Sequence, residues 1–188
     1  PSDWKPINMM TIAYGHGVAV SPLHLVTAMA AMINGGAMRP ATLIARAEDE
    51  VFEGNPVITS GTSESIRQLL RLVVETGTGR NADVPGYLVG GKTGTADKLA
   101  GRGYSENSRI ASFIGAFPMN DPRYVVFVMV DEPKPNEFSH GYATGGWVAA
   151  PAVGKIVQRM APLLGIEPVP EPAEDEGNAL LVQASTTE

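Results

Sequence analysis

The sequence predicts an α+β fold, three antiparallel strands packed with helices, on three observations. Apolar residues recur at helical spacing near both ends of the chain. Three extended stretches lie between these segments, and short polar turns join the last two of them, as antiparallel neighbours require.

The first helix is read over 22–34. Ser21 supplies an N-cap oxygen for an orphaned N–H, Pro22 has no N–H to lose at the first helical position, and Gly35 after Asn34 is a stop. The Asn34-Gly35-Gly36 turn leads to a short strand over 42–45, and the acidic stretch 48–55 reads as a surface loop. From Ser63, the residues Ile66, Leu69, Leu70 and Val73 fall on one face of a second helix ending near Gly77. A turn-rich segment, 78–86, precedes three strands over 87–96, 109–117 and 123–130, with 87–96 at an edge of the sheet. Asn120-Asp121-Pro122 is the turn between the last two. A third helix over 147–164 has Val153, Ile156, Val157 and Met160 as its buried stripe, with Pro151 early enough to be tolerated. From Glu167 the chain turns acidic and proline-rich, too poor in apolar side chains to offset the entropy of ordering. The expected organisation is one domain over 1–166 and a disordered tail over 167–188.

Composition narrows the function. A length of 188 residues with 44 % apolar residues suits one core of ordinary size. A net charge of −6 without a basic block argues against nucleic acid, whose phosphates need clustered Lys and Arg. With no cysteine, and with His16, His24 and His140 far apart, neither a metal nor any other cofactor is expected. The methionines Met9, Met10 and Met29 to Met38 read as core filler. Apolar runs such as Val125–Val130 are too short to cross a bilayer, and residue 1 is a proline with no signal sequence, so a piece of a longer protein is expected.

Lys92 admits two readings. Gly86 to Thr93 matches G-x-x-x-x-G-K-T, the phosphate-binding loop of nucleotide hydrolases, and Val125–Val130 before Asp131-Glu132 imitates the strand and magnesium-binding acid of such enzymes. That loop needs a buried strand before it and a helix opening at Lys-Thr, whose amides hold phosphate. Turn residues lie upstream, and Gly94, Gly101 and Gly103 interrupt any helix downstream. Read as an edge strand, the segment places Lys92 and Gly94 on one side and Thr93 and Thr95 on the other. A fixed cation, two hydroxyls and a free backbone edge suit an extended peptide that ends in a carboxylate.

The surroundings carry a resemblance. Val84-Pro85-Gly86-Tyr87 leading into Gly91-Lys92-Thr93-Gly94-Thr95-Ala96 resembles the penicillin-binding transpeptidases, as do Tyr14-Gly15-His16-Gly17 running into Ser21-Pro22-Leu23, Ala111 to Pro118, and Gly145-Gly146-Trp147 to Pro151. The similarity covers roughly residues 4 to 165 in the family's order. The class B branch, with its cell-division and elongation enzymes, fits best, and its larger five-stranded sheet would include the three strands here.

The resemblance implies a peptidoglycan D,D-transpeptidase: a serine attacks the D-Ala-D-Ala end of a stem peptide, releases the last alanine and passes the acyl group to a neighbouring amine. β-Lactams acylate the same serine. It further implies that Lys92 supports the proton network, that Thr93 and Thr95 hold the terminal carboxylate beside Gly94, and that the Thr95 N–H is an oxyanion-hole donor. Tyr142, in the loop before the last helix, is a candidate substrate contact or else a surface aromatic. Expected partners are stem peptides, β-lactams and other cell-wall synthesis proteins, and the expected location is the periplasmic side of the bacterial inner membrane.

The chain departs from the family in its nucleophile. Ser2-Asp3-Trp4-Lys5 matches Ser-x-x-Lys, but Pro6 follows where a helix must continue, and the family's serine lies further upstream than the 91 residues before Lys92 allow. Ser105-Glu106-Asn107 matches Ser-x-Asn after the motif strand instead of before it, and reads as a solvated loop. The serine and a membrane anchor are therefore expected upstream of this chain, which alone would be inactive. A D,D-carboxypeptidase, a β-lactamase relative and a non-catalytic β-lactam sensor share the same strand and stay open. Asp97 and Lys98 either rim the cleft or are solvated.

Overall fold

The computed structural model describes residues 5–45 apart from 14 and 16, then 54–100 and 103–170. Ser2, Asp3, Trp4, His16, most of the acidic stretch 48–55, and 171–188 lie outside the described residues. Helices α1 (Pro6–Ala13) and α2 (Pro22–Ile33) precede a two-residue ribbon, β1 (Ala37–Met38) and β2 (Asn55–Pro56). Helix α3 (Ser60–Glu75) and a 3-10 turn over Arg80–Ala82 follow. The main sheet is β3 (Gly90–Ala100), β4 (Gly103–Phe117) and β5 (Tyr124–Asp131), antiparallel in the order β3-β4-β5. Helices α4 (Gly145–Val148) and α5 (Ala150–Leu163) close the described fold.

Local chemistry explains most boundaries. The Ser21 Oγ accepts the His24 N–H at 3.2 Å, and Thr59 caps α3 by accepting from the Thr62 N–H at 3.1 Å. Gly35 and Gly36, at φ +93° and +97°, turn the chain out of α2. The strand expected over 42–45 is instead Ala37–Met38. The Asn34 side chain bonds both the N–H and the C=O of Ala37, at 2.9 and 2.8 Å, and so sets the chain extended at once. The motif strand begins at Gly90, later than expected, because Gly86 at φ +82° and Leu88 at φ +44° make a turn. The segment expected to loop around Ser105 is the first part of β4, whose Gly103 pairs with Ala100 across a hairpin.

Alternation along β4 divides the interior into two cores. Phe113 and Phe117, both fully buried, pack with Val153 and Val157 of α5, and with Val74 and Val89. Ile114 and Ala116 point the other way, toward Met29 and Ile33 of α2 and Met119. Helix α3 contributes to both, Leu70 to the second core and Val74 to the first. Burying each phenylalanine side chain contributes about 1.5–3 kcal/mol. Two predicted stripe residues fall outside: Leu69 is 62 % and Met160 41 % exposed, while Val74 and Ala161 take the buried positions. Met9 and Met10 are exposed too, so they fill no core here. Helix α5 is separated from α4 at Ala149, where one continuous helix is expected from the sequence.

Beyond α5, Ile166 is buried and the Val169 N–H donates to the Gly86 carbonyl at 2.7 Å. Residues 167–170, assigned to the tail on composition, thus run beside the turn that feeds β3.

Asp97 and Lys98 hold the far end of the sheet. Asp97 accepts from Arg109 at 2.9 Å, and the Lys98 Nζ reaches Glu132 at 2.9 Å and Asp131 at 3.0 Å. The hydrogen bond to Glu132 and then that to Asp131 raise the lysine pKa above its usual 10.5. A raised lysine pKa means stability that is fully present below pH 10.5 and lost as pH rises through the higher folded-state value. Alkaline titration followed by near-ultraviolet circular dichroism should therefore show an extra loss in the wild type above pH 10.5 that Lys98→Met lacks.

Candidate functional site

Strand β3 is an edge of the sheet, and its register with β4 pairs Lys92 with Ile114, Thr93 with Phe113, Gly94 with Ser112, and Thr95 with Ala111. The period of two places Thr93 and Thr95 on the α5 side and Lys92 with Gly94 on the α2 side. Thr93 lies mid-strand and no helix opens there, so the phosphate-loop reading fails on its own requirement.

The two threonines line a cleft of about 620 Å³, walled by the Thr76–Thr78 turn and by Thr144, Gly146 and Trp147 at the start of α4. Each hydroxyl is tied to another element. The Thr93 Oγ1 lies 3.1 Å from the Thr78 Oγ1, and the Thr95 Oγ1 accepts the Gly145 N–H at 3.1 Å. Since that lone pair is taken by a donor, the Thr95 proton remains available to an acceptor in the cleft.

Glycines bring these elements together. A Cβ on Gly146 would collide with the Thr78 carbonyl, and one on Gly94 would sit 2.6 Å from the Ser112 Oγ. Bare backbone therefore lets α4 lie against the Thr78 turn and leaves the space beside Gly94 to the Ser112 hydroxyl. The Lys92 side chain is exposed, and its Nζ donates to the Thr93 carbonyl at 3.1 Å. It does not line the cleft with Thr93 and Thr95.

Tyr142 is 54 % exposed and stacks on Trp147 with ring centroids 5.6 Å apart, while His140 meets the indole edge-on at 5.0 Å. Tyr142 thus reaches the cleft through Trp147, which sequence reasoning leaves as part of a helix start. Thr78, Arg80 and Asn81 also escape it. Their only sequence signal is the Thr76-Gly77-Thr78-Gly79 turn itself. Asp97 and Lys98 are engaged in the ion pairs across the sheet and do not line the cleft.

Comparison with known families matches residues 1–158 to the penicillin binding protein transpeptidase domain. The probable peptidoglycan D,D-transpeptidase FtsI of Caulobacter vibrioides is 43 % identical over 176 residues, covering 89 % of this chain and 30 % of the relative. The apo transpeptidase domain of penicillin-binding protein 3 from Burkholderia pseudomallei superposes with a TM-score of 0.79 at 39 % identity, over 89 % of this chain and 49 % of that one. Penicillin-binding protein 3 of Mycobacterium tuberculosis, solved in complex with ampicillin, gives 0.75 at 27 % identity over 92 % of this chain and 41 % of that one. The chain thus spans less than a third of the length of the curated relative and about half or less of the two solved chains.

Proposed function

The chain belongs to the penicillin-binding protein transpeptidase family, and from that premise we propose that it supplies the substrate-binding strand of a class B peptidoglycan D,D-transpeptidase whose serine lies in sequence outside it. The observation that carries this reading is the Thr95 hydroxyl. It is held at an open strand edge by the Gly145 N–H and has a proton to donate. A D-Ala-D-Ala peptide laid along β3 adds to the sheet edge, and its terminal carboxylate accepts from the hydroxyls of Thr95 and Thr93.

That placement brings the scissile carbonyl to the strand's backbone, where the Thr95 N–H faces the oxygen that becomes negative on attack. The charge on Lys92, one residue from the cleft-facing pair, favours the serine alkoxide and the anionic intermediate. The serine oxygen bonds to the carbonyl carbon and the last alanine leaves with a proton on its nitrogen; an amine of a second stem then attacks the ester carbon, forming an amide as the serine oxygen leaves and takes up the amine's proton. Tyr142 extends the wall that Trp147 presents to the peptide. The working location in this reading is the periplasmic face of the inner membrane, with the anchor outside this chain. Among the described residues no helix is long and apolar enough to cross a membrane.

The test is covalent labelling by a fluorescent penicillin, followed by product analysis with a D-Ala-D-Ala donor. The full-length protein should take label, and this 188-residue chain alone should take none. Label on the chain alone at Ser2 would overturn the upstream serine. With an amine acceptor present, a cross-linked product marks a transpeptidase, whereas release by water alone marks a carboxypeptidase.

Thr95→Val in the full-length protein should raise the donor KM about tenfold, because the lost hydroxyl is one charge-assisted hydrogen bond to the carboxylate. The backbone N–H of residue 95 is unchanged, so kcat should fall less than KM rises. A kcat loss with KM constant would place the hydroxyl in the chemical step instead.

A further inference from the structure

We infer that Thr78 is a positioning residue of the same cleft: its hydroxyl donates to the Thr93 hydroxyl, which frees the Thr93 proton for the substrate carboxylate. The inference rests on the proposed transpeptidase reading and adds to it a residue outside the motif strand.

Thr78 reaches the motif strand from a fixed turn. The Thr76 N–H donates to the Leu72 carbonyl and the Gly79 N–H to the Val73 carbonyl, both at 3.0 Å, so the turn is bonded on either side of Thr78 to the last turn of α3. Two glycines let it press inward: a Cβ on Gly77 would lie 2.8 Å from the Val73 carbonyl oxygen, and one on Gly79 would lie 3.0 Å from the Phe113 ring. The Thr78 carbonyl abuts Gly146, and the Asn81 Nδ2 donates to the Gly146 carbonyl at 2.8 Å. The Thr78 side chain is thus presented from a base held by α3, by α4 and by a ring of the first core.

The Thr78 and Thr93 oxygens are 3.1 Å apart, and both residues line the cleft. Each hydroxyl has one proton, so only one of the two possible orders serves an anion. If Thr93 donated to Thr78, its lone pairs would face the incoming carboxylate, which accepts and cannot donate. If Thr78 donates, the Thr93 proton points at the carboxylate, and each O–H in the chain from Thr78 through Thr93 to the anion strengthens the next. A bound carboxylate therefore selects the second order. The Gly145 N–H does the same for Thr95, with an amide in place of the hydroxyl.

Thr78 is exposed, so replacing its hydroxyl by a methyl removes the bond without opening a core. Thr78→Val in the full-length protein should raise KM for D-alanine release from a soluble D-Ala-D-Ala donor about 3- to 10-fold, the loss of one hydrogen bond, and leave kcat within about twofold. Thr78→Ser keeps the hydroxyl and should restore KM. The decisive measurement is a double-mutant cycle with Thr93→Val: because Thr78 acts through Thr93, Thr78→Val should add less than about twofold to KM once residue 93 is valine. Penicillin labelling and a urea midpoint report the fold of each variant. An unchanged KM in Thr78→Val, a Thr78→Ser variant that behaves like it, or a KM rise that persists in full in the Thr93→Val background overturns the inference and leaves the transpeptidase reading standing. A fall in kcat with KM constant does the same. A wild type that takes penicillin label but releases no D-alanine from the donor overturns the proposed substrate, and this role of Thr78 with it.

Discussion

Lys92→Ala in the full-length protein should slow acylation by a fluorescent penicillin about 100- to 10,000-fold, the range lost when a positioned proton-transfer or charge-stabilising group is removed. Stability should change by no more than about 0.5 kcal/mol, because surface substitutions outside packed or networked sites rarely cost more. The side chain is exposed, and among the described residues its one hydrogen bond is to the neighbouring Thr93 carbonyl. It packs in neither core. The separation of the two effects is the diagnostic. Stopped-flow labelling and a denaturant midpoint on the same preparation measure both. Acylation within threefold of wild type would remove Lys92 from the chemistry. A large fall in the midpoint would instead make it a structural residue. Lys92→Arg keeps the charge but replaces a compact ammonium by a planar fork, and should recover only part of the rate.

Which parts of this arrangement are legible in the sequence follows from the range of the interactions that set them. Helix α2 is readable at both ends because its signals are local: Ser21 caps it, Pro22 starts it, and Asn34 with Gly35 stops it. The three-strand meander is readable because alternation and polar turns are local too. Helix α1 gives no such signal. Its Pro-Ile-Asn-Met-Met-Thr-Ile-Ala run has no polar face, and none of its residues is buried. Periodicity locates the buried face of α3 but not its borders, so it includes Leu69 and misses Val74. Ala37–Met38 is too short for any period, and its position depends on one asparagine side chain.

The site divides in the same way. Lys92 to Thr95 is a contiguous motif, and its two-sided presentation follows from strand geometry alone. What gives those threonines a defined environment is not contiguous. Thr78 bonds Thr93 across fifteen residues, and Gly145 bonds Thr95 across fifty. Trp147 and Arg80 enter the cleft only because α4 packs against β3 and the 3-10 turn packs against α4. No spacing rule links such positions in one sequence. Their nearest sequence sign is the glycine content of Gly77, Gly79, Gly145 and Gly146, which marks close backbone approach without saying to what.

Gly145→Ala should expose that dependence most directly, lowering stability by about 2–3 kcal/mol and the rate of penicillin acylation together. An added Cβ would lie inside contact distance of the Ser112 carbonyl oxygen, 2.7 Å from the Gly94 carbonyl oxygen and 3.2 Å from the Gly94 nitrogen. All three atoms are backbone, and Gly94 and Ser112 are register partners in the β3–β4 pair, so neither strand can yield without distorting the ladder. Helix α4 must lift instead, which breaks the Gly145 N–H bond to the Thr95 hydroxyl and shifts Trp147 at the cleft wall. Gly61→Ala is the control. It lies in the first turn of α3, where an added Cβ would meet nothing within 4 Å, and should be neutral or stabilising by up to about 1 kcal/mol. Urea midpoints of the two variants, with penicillin labelling of each, decide the matter. If Gly145→Ala retains wild-type stability and labelling while Gly61→Ala behaves as expected, α4 is not clamped on the motif strand, and the Thr95 hydroxyl is positioned by something other than Gly145.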